Sequence, residues 1–326
     1  MVASPSPRSP GSPAEDPVPH GRTARRVQWS HLPPPLRSAI ERRLGTPVAE
    51  ARSATTGFTP GFASVLVGED GSTHFVKAAA AKAQRPFAEA YREEARKLAA
   101  LPEAAPAPRL LWTIDADWVV LGIEHVAARH PRRPWTLPDL EASLRMLRDM
   151  AATLTPVPAG LDLDTFVADL ADLPGCWDRL DPARLPGGEQ HAAKAAALAA
   201  RLPEWGVGET VVHTDVRDDN LLLADDGRVL LCDWNWPAAG PAWVDALTLL
   251  IGPRGDGLDV DAVLAADPLL AAVPPNDIDG LLAMLVGYFL TSAAQPVPPT
   301  SPHLRDAQRW QGEVCWSWLA QRRGWS

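Results

Sequence analysis

Cysteine is scarce in this chain, with three among 326 residues and none spaced as a metal-binding pair. That scarcity argues against a disulfide framework or a cysteine-held metal and points to a reducing, cytoplasmic setting. No run of about 18 apolar residues occurs, and no apolar stretch opens the chain, so neither a membrane span nor a secretion signal is expected. Positive charge is also in deficit. Lys and Arg number 31 against 40 Asp and Glu, and the resulting net charge of −9 disfavours nucleic acid as a partner.

Hydrophobic residues, by contrast, make up 46% of the chain and include thirteen Trp, enough for a substantial core. The length suggests two domain-sized units. Residues 1–26 are rich in Pro and Ser without hydrophobic period, and a disordered tail is expected there. Residues 27–123 read as strands around one main helix, after an approach helix ending near Gly45. From residue 124 onward the pattern is mostly helical, as in 137–154 and 191–202. The Ala-rich runs Ala78 to Ala83 and Ala192 to Ala200 read as helix formers.

The densest chemistry lies at Val211 to Leu223, V-V-H-T-D-V-R-D-D-N-L-L-L, followed by A-D-D-G-R-V-L-L-C-D-W ending at Trp234. Asp226-Gly227 between apolar runs signals a two-residue type I′ hairpin turn. That turn would pair Leu223 with Leu230 and set Asn220 opposite Asp233. Cross-strand Cβ atoms stand roughly 4.5 to 5.5 Å apart, close enough for an amide oxygen and a carboxylate to share a hard cation. Mg²⁺ suits such a pair, because it keeps water and phosphate oxygens in the rest of its shell. Asp215, just before the hairpin, is placed to accept or orient the proton of an attacking hydroxyl. His213 reads as a structural imidazole that holds the loop.

His-x-Asp-x4-Asn followed by a strand-borne Asp resembles the catalytic loop and metal-binding Asp of the protein-kinase-like superfamily. It is most similar to the aminoglycoside phosphotransferases and their choline-kinase relatives. Asp233-Trp234 replaces the Asp-Phe-Gly of protein kinases. No Ala-Pro-Glu occurs, and Asp245 follows Asp233 by only twelve residues, which leaves no room for a peptide-docking activation segment; no protein substrate is expected. The resemblance implies a bilobed α+β fold, with an antiparallel sheet and one main helix in a small lobe and a larger helical lobe. It also implies ATP or GTP as donor, Mg²⁺, and a small-molecule hydroxyl as acceptor. Asp245 corresponds to the Asp that braces the catalytic loop.

On the same basis the loop at Gly57 and Gly61 would cover the donor phosphates, where glycine lets backbone approach closely. Reading Asp70-Gly71 as another two-residue turn sets Lys77 opposite Ser64, within reach of those phosphates. Glu94 falls on the inward stripe of a helix over residues 86–101 and is the partner for Lys77, with Glu93 as the fallback. By the resemblance, backbone at Glu124 and Val126 meets the nucleobase, with Ile123 as gate. Arg217 stands where Ser/Thr protein kinases carry Lys, and would either steady the transferring phosphoryl group or pair with Asp218 or Asp219. Thr214 occupies a position that the family usually fills with Gly. Trp234 and Trp236 are candidates for an aromatic wall of the acceptor pocket. The alternatives are a kinase-fold nucleotide sensor or scaffold without catalysis, and a protein kinase.

Overall fold

The computed structural model describes residues 23–325. Five antiparallel strands, β1 (Val48–Ser53), β2 (Phe62–Gly68), β3 (Thr73–Ala80), β4 (Leu110–Asp115) and β5 (Trp118–Glu124), form one sheet in the order β1-β2-β3-β5-β4. Each face of it carries a helix. The two-residue alternation of β3 sends Val76 and Ala78 toward α1 (Pro34–Leu44), where they pack with Leu36, Ile40, Phe62 and Val120. Phe75 and Ala79 face the other way, onto Ala88 and Tyr91 of α2 (Arg85–Ala100). Lys77 shares that second face, and this parity brings it to α2.

Helix α1 stops where expected, at Gly45 in the left-handed region with φ 81°. Helix α2 buries Ala88, Tyr91 and Glu94 at a spacing of three, so a carboxylate is drawn into the interior by the same stripe that buries its neighbours. Beyond β5 the chain is mainly helical. Helix α3 (Leu137–Thr153) starts at a Thr136 side chain that caps the Asp139 N–H. The long helices Pro275–Ala293 and Leu304–Arg323 pack on each other, and Trp177, Trp205, Trp316 and Trp318 fill the core around them. Among the described residues no helix is long and apolar enough to cross a membrane.

Both hairpins differ from the expected register by one residue. Ala63, not Ser64, pairs with Lys77; in the second hairpin Leu223 pairs with Val229, and Asn220 accepts a hydrogen bond from the Cys232 N–H at 2.9 Å in place of standing opposite Asp233. A type I′ turn needs positive φ at both central residues. Gly71 (82°) and Gly227 (88°) have it, whereas Asp70 and Asp226 do not. Each loop is therefore three residues long, ending on a left-handed glycine, and the ladder shifts accordingly.

Two further expectations change. Ala78 to Ala80 continue strand β3, because sheet pairing with β2 and β5 overrides the helix preference of alanine, while residues 188–199 are helical as expected. Residues 1–22 of the expected disordered tail lie outside the described residues. Thr23 to Arg26, at its end, are held in place: the Thr23 hydroxyl donates to the Gly57 carbonyl at 2.6 Å, and the Arg25 N–H to the Thr300 carbonyl at 2.7 Å. These are backbone and side-chain polar contacts, which leave no hydrophobic period to read.

Candidate active site

The short strand Thr210–Val212 delivers the chain into a loop fixed by buried polar contacts. His213 is fully buried, lies edge-on to Trp234 with centroids 4.9 Å apart, and points Nε2 at the Cys232 carbonyl at 3.0 Å. Its Nδ1 accepts the Asp215 N–H at 3.3 Å. These contacts fit one neutral tautomer, protonated on Nε2. Burial pushes its pKa down to about 4, so it stays uncharged.

Asp245, in the first turn of the helix Val244–Leu249, accepts the His213 N–H at 2.6 Å and the Thr214 N–H at 3.0 Å. Burial raises its pKa to about 6 despite those two donors. Thr214 itself sits at φ 67°, a left-handed conformation that costs a β-branched residue roughly 1–2 kcal/mol. Its hydroxyl compensates by donating to the Trp236 carbonyl at 2.8 Å. The left-handed backbone at this position is one that glycine adopts without strain, and it is met here by a held threonine.

Downstream, the Asn220 side-chain amide donates to the Asp215 carbonyl at 2.8 Å and to the Asp215 carboxylate at 3.1 Å. With its NH2 so engaged, the amide's Oδ1 is the end left for another partner. The Asp215 side chain is 34% exposed toward the cleft; burial raises its pKa, and Arg217 opposes that rise. Arg217 donates to Asp219 at 3.0 Å, lies 3.5 Å from Asp215, and stacks its guanidinium 5.6 Å over the Phe58 ring. Asp218, the other expected partner, is taken by Arg133.

From the sheet side, Lys77 Nζ donates to both Glu94 oxygens at 2.7 and 2.9 Å and to Asp233 at 2.7 Å. Glu93, the fallback, is exposed and bonds Arg96 on its own helix at 2.7 Å. Burial works against the charge of Lys77, but Asp233 and Glu94 outweigh it and lift the pKa above the usual lysine value. Burial likewise acts to raise Asp233, and Lys77 more than reverses it, carrying the carboxylate down to about 2. Asp233 has φ 69°, turning the chain just past the hairpin.

These groups line two adjoining cavities. The smaller, about 340 Å³, is lined by Lys77, Glu94, Asn220, Asp233, Gly57, Ile123, Glu124 and Val126. The Glu124 N–H is engaged by the Arg109 carbonyl at 2.8 Å, whereas the Val126 N–H has no partner among the described residues. Gly57 is left-handed at φ 79°; a Cβ on Gly61 would meet the Tyr91 hydroxyl at 3.0 Å and the Ala78 carbonyl at 3.3 Å. The larger cavity, about 880 Å³, has Asp215, Arg217 and Trp236 along it, with Asp162, Asp164 and Asp169 at one edge and Leu281, Met284 and Leu285 on a wall. Trp236 is 65% exposed there. Trp234 lies instead in the core, fully buried with its Nε1–H on the Leu231 carbonyl at 2.6 Å, and borders the smaller cavity, not the larger one.

Sequence reasoning missed three residues at the glycine loop: Thr23, Arg26 and Ser301, whose side chains all donate to its carbonyls. None carries a motif. The acidic edge has a visible signal in the alternating Asp162-Leu163-Asp164.

Among the described residues no group of three His, Cys, Asp or Glu side chains could hold a metal ion. The donor set at hand is one amide oxygen and one carboxylate, Asn220 and Asp233, which suits a hard cation that completes its shell with phosphate and water.

Residues 56–276 match the model of APH, the phosphotransferase enzyme family. No curated protein matches. Among solved structures, the spectinomycin phosphotransferase APH(9)-Ia in complex with ADP and spectinomycin aligns over 88% of this chain and 98% of its own, with TM-score 0.58 and 11% identity. The choline kinase LicA from Streptococcus pneumoniae aligns over 86% and 98%, with TM-score 0.59 and 13% identity. A macrolide 2'-phosphotransferase type I aligns over 91% and 94%, with TM-score 0.51 and 15% identity. At such identities the likeness is one of fold, the bilobed α+β arrangement that the motif implied. The family match spans well over half of the sequence and includes every catalytic-loop position, so the chain belongs to the phosphotransferase enzyme family, the small-molecule branch of the protein-kinase-like superfamily.

Proposed function

We propose that the protein moves the γ-phosphoryl group of ATP or GTP to a hydroxyl of a small molecule. The observation that carries this reading is the meeting of Lys77, Glu94 and Asp233 in the smaller of two cavities that share Thr56, Gly57, His130 and Asp219, with Asp215 lining the larger. Such a layout suits a donor in the smaller cavity and an acceptor in the larger.

In this reading Lys77, fixed by Glu94, contacts the donor phosphates beneath the Gly57 to Gly61 loop, and backbone at Glu124 and Val126 meets the base. Asn220 and Asp233 would hold Mg²⁺, which supplies charge neutralisation at the phosphate oxygens. Asp215 orients the acceptor hydroxyl. As that oxygen bonds to the γ-phosphorus and the bond to the bridging oxygen of the nucleoside diphosphate breaks, Asp215 receives the hydroxyl proton. Arg217 stands beside Asp215 and offers a planar cation to the transferring group. Acidic and apolar side chains along the same cavity suit an acceptor that is itself part cationic and part apolar.

The test is phosphate transfer from ATP and from GTP, with Mg²⁺, to a panel of hydroxylated compounds including spectinomycin, aminoglycosides, macrolides and choline. Asp215→Ala and Asp233→Ala should each abolish turnover, a loss of at least about 3 kcal/mol of transition-state stabilisation. Turnover retained in either variant would sink the assignment.

A further inference from the structure

Arg26 lies outside the span that matches the family model, yet its side chain reaches into the smaller cavity and lines it together with Lys77 and Asp233. Nη1 donates to the Thr59 carbonyl at 3.0 Å and Nη2 to the Thr56 carbonyl at 2.6 Å. Nη2 also occupies the space beside Gly57, 3.1 Å from where a Cβ would stand. The guanidinium is thus clamped against the glycine loop, on the side that faces the cavity.

Its charge is the unusual part. Lys77 is engaged by Glu94 and Asp233, and Arg217 by Asp219 and Asp215. Arg26 is half-buried and, among the described residues, bonds only neutral carbonyls. Burial lowers its pKa from the ordinary value, with nearby Tyr91, Asp233 and Asp219 working the other way. A desolvated cation without a carboxylate at contact distance favours an anionic ligand. A guanidinium has five N–H donors, and the two carbonyls take two of them. Among the described residues the remaining three have no acceptor, and the planar fork is well shaped for phosphate oxygens.

We infer that Arg26 is a phosphate-binding residue for the donor nucleotide, supplied by the segment that precedes the family core. The two carbonyl contacts hold the guanidinium at the loop, and the remaining donors meet the phosphate chain that the loop covers. The inference rests on the reading of the smaller cavity as the donor site.

Dissociation constants for ATP, ADP and adenosine, measured by calorimetry on the native protein, R26Q and R26K, test it. Glutamine keeps a hydrogen-bond donor near the carbonyls without the charge; lysine keeps the charge. R26Q is expected to weaken ATP and ADP by about tenfold or more while leaving adenosine unchanged, and R26K to recover most of the loss. Native ATP affinity should also fall more steeply with added KCl than that of R26Q, a difference that a loop brace alone would not produce. Equal ATP affinity in R26Q and native protein, or equal loss for ATP and adenosine, overturns the assignment of Arg26. Native protein with affinity for neither ATP nor GTP overturns the donor-site reading itself, and this inference with it.

Discussion

Exchanging Asp245 for Asn removes a buried charge and replaces one acceptor oxygen with an NH2 group. In the native loop the carboxylate accepts the His213 and Thr214 N–H groups at 2.6 and 3.0 Å, yet burial lifts its pKa to about 6 from an ordinary 3.8. The folded protein therefore takes up this proton at higher pH than the unfolded chain. The resulting contribution to stability is fully present below about pH 3.8 and is lost as pH rises through about 6. At about 1.36 kcal/mol per pKa unit, the raised pKa of Asp245 costs about 3 kcal/mol at pH 7, where the group is ionised, and about 2 kcal/mol at pH 5, where the folded carboxyl is mostly protonated. Asparagine avoids that cost. It also turns its NH2 toward one of the two backbone donors, leaving a buried N–H unpaired at about 1 to 3 kcal/mol. At pH 7 the two effects nearly cancel, and D245N should be close to native in stability. At pH 5 the relief is smaller, so the variant should lose about 1 kcal/mol relative to native. Urea unfolding of both proteins at the two pH values reads this difference directly, since the other titrating groups contribute to both curves. A stability difference that stays constant, or that shifts in favour of D245N toward pH 5, would refute the reasoning.

Glu94→Gln leaves Lys77 with Asp233 as its remaining carboxylate, and kcat/KM for the phosphoryl donor should fall by about 10- to 100-fold with the thermal midpoint monitored as a folding control. Native kcat/KM in that variant would remove Glu94 from the site. Thr214→Val keeps the left-handed β-branched geometry but loses the hydroxyl bond to the Trp236 carbonyl, so thermal unfolding should show about 1 kcal/mol of destabilisation. Thr214→Gly gives up the same bond while relieving roughly 1–2 kcal/mol of strain, and should come out near native; a glycine variant no more stable than the valine one contradicts the strain argument.

The sequence made some parts of this site legible because their physics is local. Glu94 is reached by helical phase, on one stripe with Tyr91, once the resemblance calls for a carboxylate beside Lys77, and three-residue spacing does carry it inward. Lys77 was found too, although its strand partner was misassigned: a shift in the pairing of β2 does not change which face of β3 a residue occupies. The same error mattered more at Asn220 and Asp233. Their expected opposition depended on one turn residue's φ, and an Asp-Gly pair reads alike whether one or both residues are left-handed. Trp234 and Trp236 differ by two positions and look equivalent in a string of letters, but one has a backbone carbonyl and His213 enclosing it, while the other stands out at the cavity rim. Thr23, Arg26 and Ser301 were invisible for a different reason. Each bonds a carbonyl more than thirty residues away, and a carbonyl has no residue identity for a motif to register.

The Ser301 hydroxyl, on the connection between the two last helices, donates to the Phe58 carbonyl at the tip of the glycine loop, and the neighbouring Thr300 carbonyl holds the Arg25 N–H. Covalent chain joins the two lobes at residues 124–128, and these bonds join them again at the glycine loop. The cleft is in that sense a clasped purse and not an open jaw: separating the lobes at the glycine loop requires the Ser301 bond to break. The rim of the smaller cavity is therefore tied by hydrogen bonds to the segment that leads into the last helix.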